Sequence, residues 1–241
     1  TQPILFYFSY RYRGKASRKA DFVSHNDKLE LVWTVIPAIV LAGLILYGLS
    51  TWHQIMFDDP EEEPLVVEIY AKQFGWNARY AGTDNLLGYA NVRNIEGVNI
   101  LGVDDTDPNA MDDIVAGTEM HLPVNRPVVF RFRAQDVIHS AYLPHFRVQM
   151  NCVPGAVTQF KFTPTVTTAE MRSDEFVEQK IARVNDIREG KGEEPYEFDY
   201  VLLCNKICGA AHYNMQMKVV VETEEEFNNW IKEQKTFAES I

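Results

Sequence analysis

Residues 31–57 run 27 positions without a single Asp, Glu, Lys or Arg, and the stretch is most apolar over 35–46. A helix rises about 1.5 Å per residue and the hydrocarbon layer needs about 20 apolar residues, so this run is long enough to cross a membrane. Pro37 would break a helix in water, but a membrane helix tolerates it because the freed carbonyl finds other partners. The competing reading is a buried core helix. A secretory leader fits poorly, since the run is too long, lies inside the chain and lacks a small-residue cleavage pattern. Residues 3–8 read as the end of another apolar segment whose first part is expected to lie upstream of Thr1. Arg11, Arg13, Lys15, Arg18, Lys19 and Lys28 fill the connection, and short basic connections stay on the cytoplasmic side. The expected organisation is a membrane helical hairpin over 1–57, a linker at 58–64 and an external domain over 65–241.

Charge supports that division. Residues 1–52 carry six basic and three acidic side chains, so of the total −11 the remaining residues hold −14. Such a balance excludes nucleic acid, whose phosphates demand a basic surface, and suits a cationic protein partner drawn in by long-range attraction. Glu61, Glu62 and Glu63 contribute, as do Asp104, Asp105, Asp107, Asp112 and Asp113; mere solubility is the plainer reading of any one cluster.

Beyond the linker the period changes from helix to strand. Residues 65–80 are rich in β-branched and aromatic types, Val128, Phe130 and Phe132 alternate with Val129, Arg131 and Arg133, and 157–163 and 215–222 read likewise. Short strands separated by Gly and Pro predict a β sandwich or barrel. Thr223 with Glu226 forms a capping box that opens a C-terminal helix bearing Phe227, Trp230 and Ile231 on one face. Two stretches read as insertions: 85–118, acidic and loop-like, and 167–194, expected to hold a surface helix that stops near Gly190 and carries no chemistry.

The three cysteines are Cys152, Cys204 and Cys208. Cys204, Cys208, His212 and Met215 fall within twelve residues and make a soft donor set of the kind that selects copper. A disulfide between Cys204 and Cys208, or a zinc site completed from elsewhere, fits the spacing too, although the thioether favours copper. A further ligand has to come from another part of the chain, where His53, His121, His139 and His145 are available.

The pattern Cys-x-x-x-Cys-x-x-x-His-x-x-Met at 204–215, with Asp136-Val137-Ile138-His139-Ser140 and Val153-Pro154-Gly155 before it, closely resembles the dinuclear copper signature of cytochrome c oxidase subunit 2. Residues 30–37 and 72–80 share the likeness, which spans nearly everything except the two insertions. It implies a cupredoxin-like Greek-key domain holding two copper ions. Cys204 and Cys208 would bridge both metals, His139 and His212 would be terminal ligands, Met215 a weak thioether ligand, and Lys206 the donor of a backbone carbonyl. A bridged pair shares one unpaired electron, so a one-electron change disturbs each bond little and transfer is fast. The family usually has Glu where Lys206 stands, and that carboxylate helps hold a magnesium ion against subunit 1. An ammonium group has no lone pair, so the magnesium role is not expected here.

Electron uptake from the donor is implied at Phe74, which replaces an exposed Trp of the family, and at Trp76, expected on the same face as Phe74. Glu30 matches a carboxylate linked to proton uptake into subunit 1, and an interfacial Glu ending the helix is the plain alternative. Cys152 is expected to be a buried small hydrophobe; His121 and His145 are expected to be structural. The implied protein is the electron-transfer subunit of a terminal oxidase. It would work beside subunits 1 and 3, with a cytochrome c or a fused cytochrome c domain as donor, in membrane lipid and within a respiratory supercomplex in some settings. Haem and the second copper centre would lie in subunit 1, where oxygen is reduced and protons are moved. The long insertions and the Lys206 and Phe74 replacements favour a bacterial inner membrane, with the domain on the periplasmic side, over a mitochondrial one. A quinol oxidase subunit 2 typically lacks the copper ligands, and nitrous oxide reductase lacks the span. The remaining alternative is a membrane-anchored copper chaperone or assembly factor.

Overall fold

A computed structural model describes residues 2–17, 19, 22, 24–57, 60 and 62–241. Arg18 of the basic connection and Asp58, Asp59 and Glu61 of the linker region lie outside the described residues. The chain divides into two units, residues 1–51 and 52–241, which are taken separately here.

The first unit holds helix α1 (Gln2–Arg11) and most of α2 (Asp27–Met56), whose 30 residues contain Pro37 without a break. No residue of α2 is buried. A helix that is apolar all round and has no core against it belongs in lipid, where its side chains meet hydrocarbon instead of water. Among the described residues α2 alone has the length and composition to cross a membrane; α1, with ten residues, does not reach it.

The second unit contains strands β1 (Leu65–Lys72), β2 (Gly75–Tyr80), β3 (Ile114–Ala116), β4 (Glu119–Pro123), β5 (Val128–Ala134), β6 (His139–Leu143), β7 (Val148–Cys152) and β8 (Thr158–Phe162). Helices α3 (Thr168–Arg172) and α4 (Glu175–Glu189) follow, then β9 (Tyr200–Cys204), β10 (Gln216–Glu222) and α5 (Glu224–Glu233). The strands form two five-stranded sheets, in the orders β3-β2-β1-β5-β8 and β4-β10-β9-β6-β7. Each is mixed, since β1 runs parallel to β5 and β4 parallel to β10. The result is the expected cupredoxin-like sandwich.

The alternation in β5 decides which face looks inward. Val128, Phe130, Phe132 and Ala134 are buried, while Arg131 between them is exposed. Burial of each Phe side chain contributes about 1.5–3 kcal/mol relative to exposure. Met120, Leu122, Leu202 and Val219 of the other sheet complete the same core. The capping box at Thr223 and Glu226 forms as expected and starts α5, which lays Phe227 and Trp230 against Tyr80 with ring centroids 6.1 and 5.5 Å away.

Both insertions are more built than the sequence suggests. The stretch 85–118 contains β3, an edge strand paired with β2, and a small second core of Leu101, Val103 and Ala110 with Tyr70 and Phe237. Asp113 is not part of an acidic surface. It is fully buried and accepts from Arg79 Nη1 at 3.0 Å, while Arg79 Nη2 lies 3.2 Å from Glu68, which also meets Arg133. The Gly88 N–H donates to Asp113 and the Gly88 carbonyl accepts from Arg79, so this buried ion cluster pins the insertion to the sheet. Burial pushes the Asp113 carboxyl up to about 7 against the opposing pull of Arg79. The stretch 167–194 forms two helices rather than one, with N-caps at Thr167 and Asp174, and α4 ends at Gly190 as read. Val177 of α4 is buried, and Met171 and Ile181 pack against the main core.

Candidate metal centre

Strand β6 opens on His139 and β9 closes on Cys204, and the two strands pair antiparallel with Ala141 opposite Cys204. That register brings an imidazole and a thiol from distant parts of the chain to one end of the sandwich. The loop between β9 and β10 then folds back on itself. The Cys204 N–H donates to the Met215 carbonyl at 3.1 Å, and the Asn205 N–H donates to the Ser140 carbonyl at 2.9 Å. A single turn of 3-10 helix at His212–Asn214 returns Met215 to the interior, where it is 1% exposed.

The side chains converge. Cys204 Sγ lies 3.8 Å from His139 Nδ1, 3.9 Å from Cys208 Sγ and 3.2 Å from the Lys206 carbonyl oxygen. Cys208 Sγ lies 3.6 Å from His212 Nδ1 and 3.7 Å from Met215 Sδ. No disulfide joins the thiols; all three cysteines are free. The ligand atoms of His139, Cys204 and Cys208 all fall within 4.8 Å of one another. Thiols, imidazoles and a thioether are donors to soft cations, and they sit at the separations a shared metal would draw on, so the residues fit a copper site. Burial, and then the neighbouring Cys204 sulfur, push the Cys208 thiol up to about 11. A metal therefore has to displace a proton to be held as thiolate.

Two residues that are not ligands support the ligands. Asp136 Oδ1 lies 2.8 Å from His139 Nε2, which leaves Nδ1 facing the sulfurs. A carboxylate behind an imidazole fixes its tautomer and its direction. Burial acts against the Asp136 anion, yet the Gln73 N–H, the His139 ring and the Val137 N–H together hold its carboxyl below the ordinary value. The three-residue spacing of Asp136 before His139 is a signal that reading the sequence for ligands alone passes over. Gln73 offers no such signal, because its partners lie 63 and 135 residues away: its N–H donates to Asp136 Oδ2 at 2.7 Å and its carboxamide donates to the Cys208 carbonyl.

Phe74 and Trp76 do not share an environment. Phe74 lies in the β1–β2 turn and is 38% exposed. Trp76 is 3% exposed; its Nε1 donates to the Met215 carbonyl at 3.4 Å and its ring meets His139 edge-on with centroids 6.2 Å apart. One aromatic faces solvent and the other backs the ligands. Gly209 sits under the exposed ring at φ +146°, and a Cβ there would come within 2.8 Å of Phe74 Cε1 and Cζ and of Gln73 Nε2. Only glycine combines that conformation with that approach.

The other candidates fall elsewhere. Glu30 stands in the first turn of α2, where a carboxylate suits the positive end of the helix dipole. His121 is held between Glu119 and Glu222 at 3.1 and 2.8 Å and stacks on Trp230, and His145 packs edge-on against Phe198 and Tyr200. Cys152 is fully buried and pairs across the strands with His139.

Residues 65–170 match the family described as the periplasmic domain of cytochrome c oxidase subunit II, and residues 2–51 match its transmembrane domain. The alternative cytochrome c oxidase subunit 2 of Bradyrhizobium diazoefficiens is 36% identical over 241 residues, covering 99% of this chain and 76% of the relative. Cytochrome c oxidase subunit 2 of Thermostichus vulcanus is 24% identical over 263 residues, covering 98% of this chain and 70% of the relative. Among solved structures, the periplasmic domain of subunit II of cytochrome oxidase of Bradyrhizobium japonicum superposes with a TM-score of 0.44 at 20% identity, over 73% of this chain and 95% of that one.

Proposed function

The chain belongs to the cytochrome c oxidase subunit 2 family, an electron-transfer subunit of haem-copper terminal oxidases, and from that premise we propose that its β domain binds a pair of copper ions. In this reading Cys204 and Cys208 would hold the pair as thiolates, His139 and His212 as imidazoles, Met215 as a weak thioether and Lys206 through its backbone carbonyl. A bound pair supplies reversible one-electron chemistry with the charge spread over both metals. The protein's own part is to hold six donors in place in both oxidation states, so that little rearranges as an electron arrives or leaves. The observation that carries the reading is the convergence of the two thiols with an imidazole on either side and the thioether beneath, each step no longer than 3.9 Å.

Electrons come from a cytochrome c type donor at Phe74 and leave to haem in subunit 1, with subunit 3 alongside. The net −14 of residues 53–241 suits a cationic donor. Ile207 and Tyr213, 85% and 88% exposed on the ligand loop, supply apolar contact area around the site. The chain is anchored in the membrane through α2. A hairpin over 1–57, joined by 58–64 to the domain over 65–241, puts the domain on the periplasmic side of a bacterial inner membrane, since Arg11, Arg13 and Lys15 lie on the connection. Glu30 is the proton-uptake carboxylate in the same scheme. Lys206 gives no carboxylate to a magnesium ion at the subunit boundary; a divalent ion bound by its own side chain would refute that.

Electron paramagnetic resonance on the full chain in detergent, loaded with copper, tests the centre. One electron shared by two equivalent copper nuclei is expected. A single-nucleus hyperfine pattern would overturn the proposal.

A further inference from the structure

The two ligand segments and the exposed aromatic meet at one residue. Gln73 donates its backbone N–H to Asp136, which orients His139, and its carboxamide to the carbonyl of Cys208. Phe74 follows it in the chain, and Phe74 and the Gln73 carboxamide both fill the space that a Cβ on Gly209, the residue after Cys208, would need. Gln73 is itself exposed, so neither burial nor core packing accounts for it. From this geometry we infer that Gln73 is the positioning residue of the centre: it keeps the His139 segment, the Cys208 segment and the Phe74 ring in one fixed arrangement. A donor pressing on Phe74 thereby pushes on a turn already bonded to the backbone of Cys208.

The inference rests on the copper reading but names a residue that is not a ligand. Its chemistry is specific. A carboxamide N–H is a donor, whereas an ionised carboxylate of the same size only accepts and would face the Cys208 carbonyl with like polarity. A role in filling space predicts that Gln73→Glu behaves as the parent; a role in donating a hydrogen bond predicts that it behaves as badly as Gln73→Ala.

Hydrogen exchange on the full chain in detergent, without metal, reads the clamp directly. The peptide covering 204–215 should exchange about fivefold faster in Gln73→Ala and Gln73→Glu, the factor one net hydrogen bond of about 1 kcal/mol sets, whereas 136–140, bonded to the backbone N–H that both variants keep, should change less. The copper-loaded variants should show altered hyperfine splitting, a shifted reduction potential and copper loss to a chelator about fivefold faster or more. Parent-like exchange, splitting and potential in Gln73→Glu would overturn the inference. Should Gln73→Ala and Gln73→Glu fail to fold, Gln73→Met decides, because it keeps the length of the side chain and loses only the N–H donor; parent-like exchange at 204–215 in that variant would overturn the inference. A parent chain without the two-nucleus signal sinks the copper reading instead, and the metal-free exchange result stands apart from it.

Discussion

The β domain contains two buried polar clusters, and they are solved in opposite ways. Around Arg79 a guanidinium is enclosed by Glu68 and Asp113, with Arg133 on the far side of Glu68. The cluster includes its own cations, two guanidiniums for two carboxyls, so every charged group has its partner within the chain. Around Cys204 and Cys208 every converging group is a donor to a cation: two thiols, two imidazoles, a thioether and a carbonyl. The first arrangement is complete once the chain folds, whereas the second leaves its donors free for a cation. Stability and function are thus written in different residues of one domain, and variants should separate them.

Cys204→Ser or Cys208→Ser should break the contrast most completely. The two-nucleus resonance and electron transfer from the donor should vanish, while the thermal midpoint of the metal-free chain stays within a few degrees of the parent. Arg79→Met should do the reverse. It leaves Asp113 buried without its cation and Glu68 with Arg133 alone, at a cost of about 3–5 kcal/mol in denaturant unfolding above pH 7, where Asp113 is ionised, and the fraction still folded should keep the parent's copper spectrum. Asp136→Ala sits between them. It removes the carboxylate behind His139 and should weaken copper retention about 10–100-fold in chelator competition, with little change in fold.

The smallest effect is a pH slope. Asp113 holds its proton to about pH 7 in the folded chain, above its value when unfolded, so the native state binds more protons between about pH 4 and 7. Its contribution to stability is complete below the unfolded value and is lost as pH rises through 7. The melting temperature of the metal-free chain should therefore fall by a few degrees from pH 5 to 8, and Asp113→Asn should flatten that part of the curve.

What could be read from the sequence follows from how local each signal is. The span in α2, the alternation in β5 and the capping box of α5 are carried by neighbouring residues, and each forms as read. The ligand loop is likewise local, with four of its donor side chains inside 204–215. His139 is not local: a single His after a strand carries no chemistry of its own, and only the family likeness singled it out. Strand β3 is three residues long inside an acidic stretch, too short to show a period. Asp113 reads as surface because its partner Arg79 is 34 residues away, and nothing in the chain's order announces that they meet. The second insertion was legible as helix but not as two, since the break between α3 and α4 is set by the Asp174 cap. Trp76 was expected to face the same way as Phe74; the turn that carries Phe74 outward leaves Trp76 behind the ligands.

Cys152 gives the domain one last property. Its sulfur is sealed between strands beside the centre, with burial pushing the thiol up to about 12, so it supplies almost no thiolate to any oxidant. An odd number of cysteines ordinarily invites mispairing and cross-linked aggregates. Here the odd one is withdrawn from circulation, and an oxidant would meet only Cys204 and Cys208, whose sulfurs lie 3.9 Å apart.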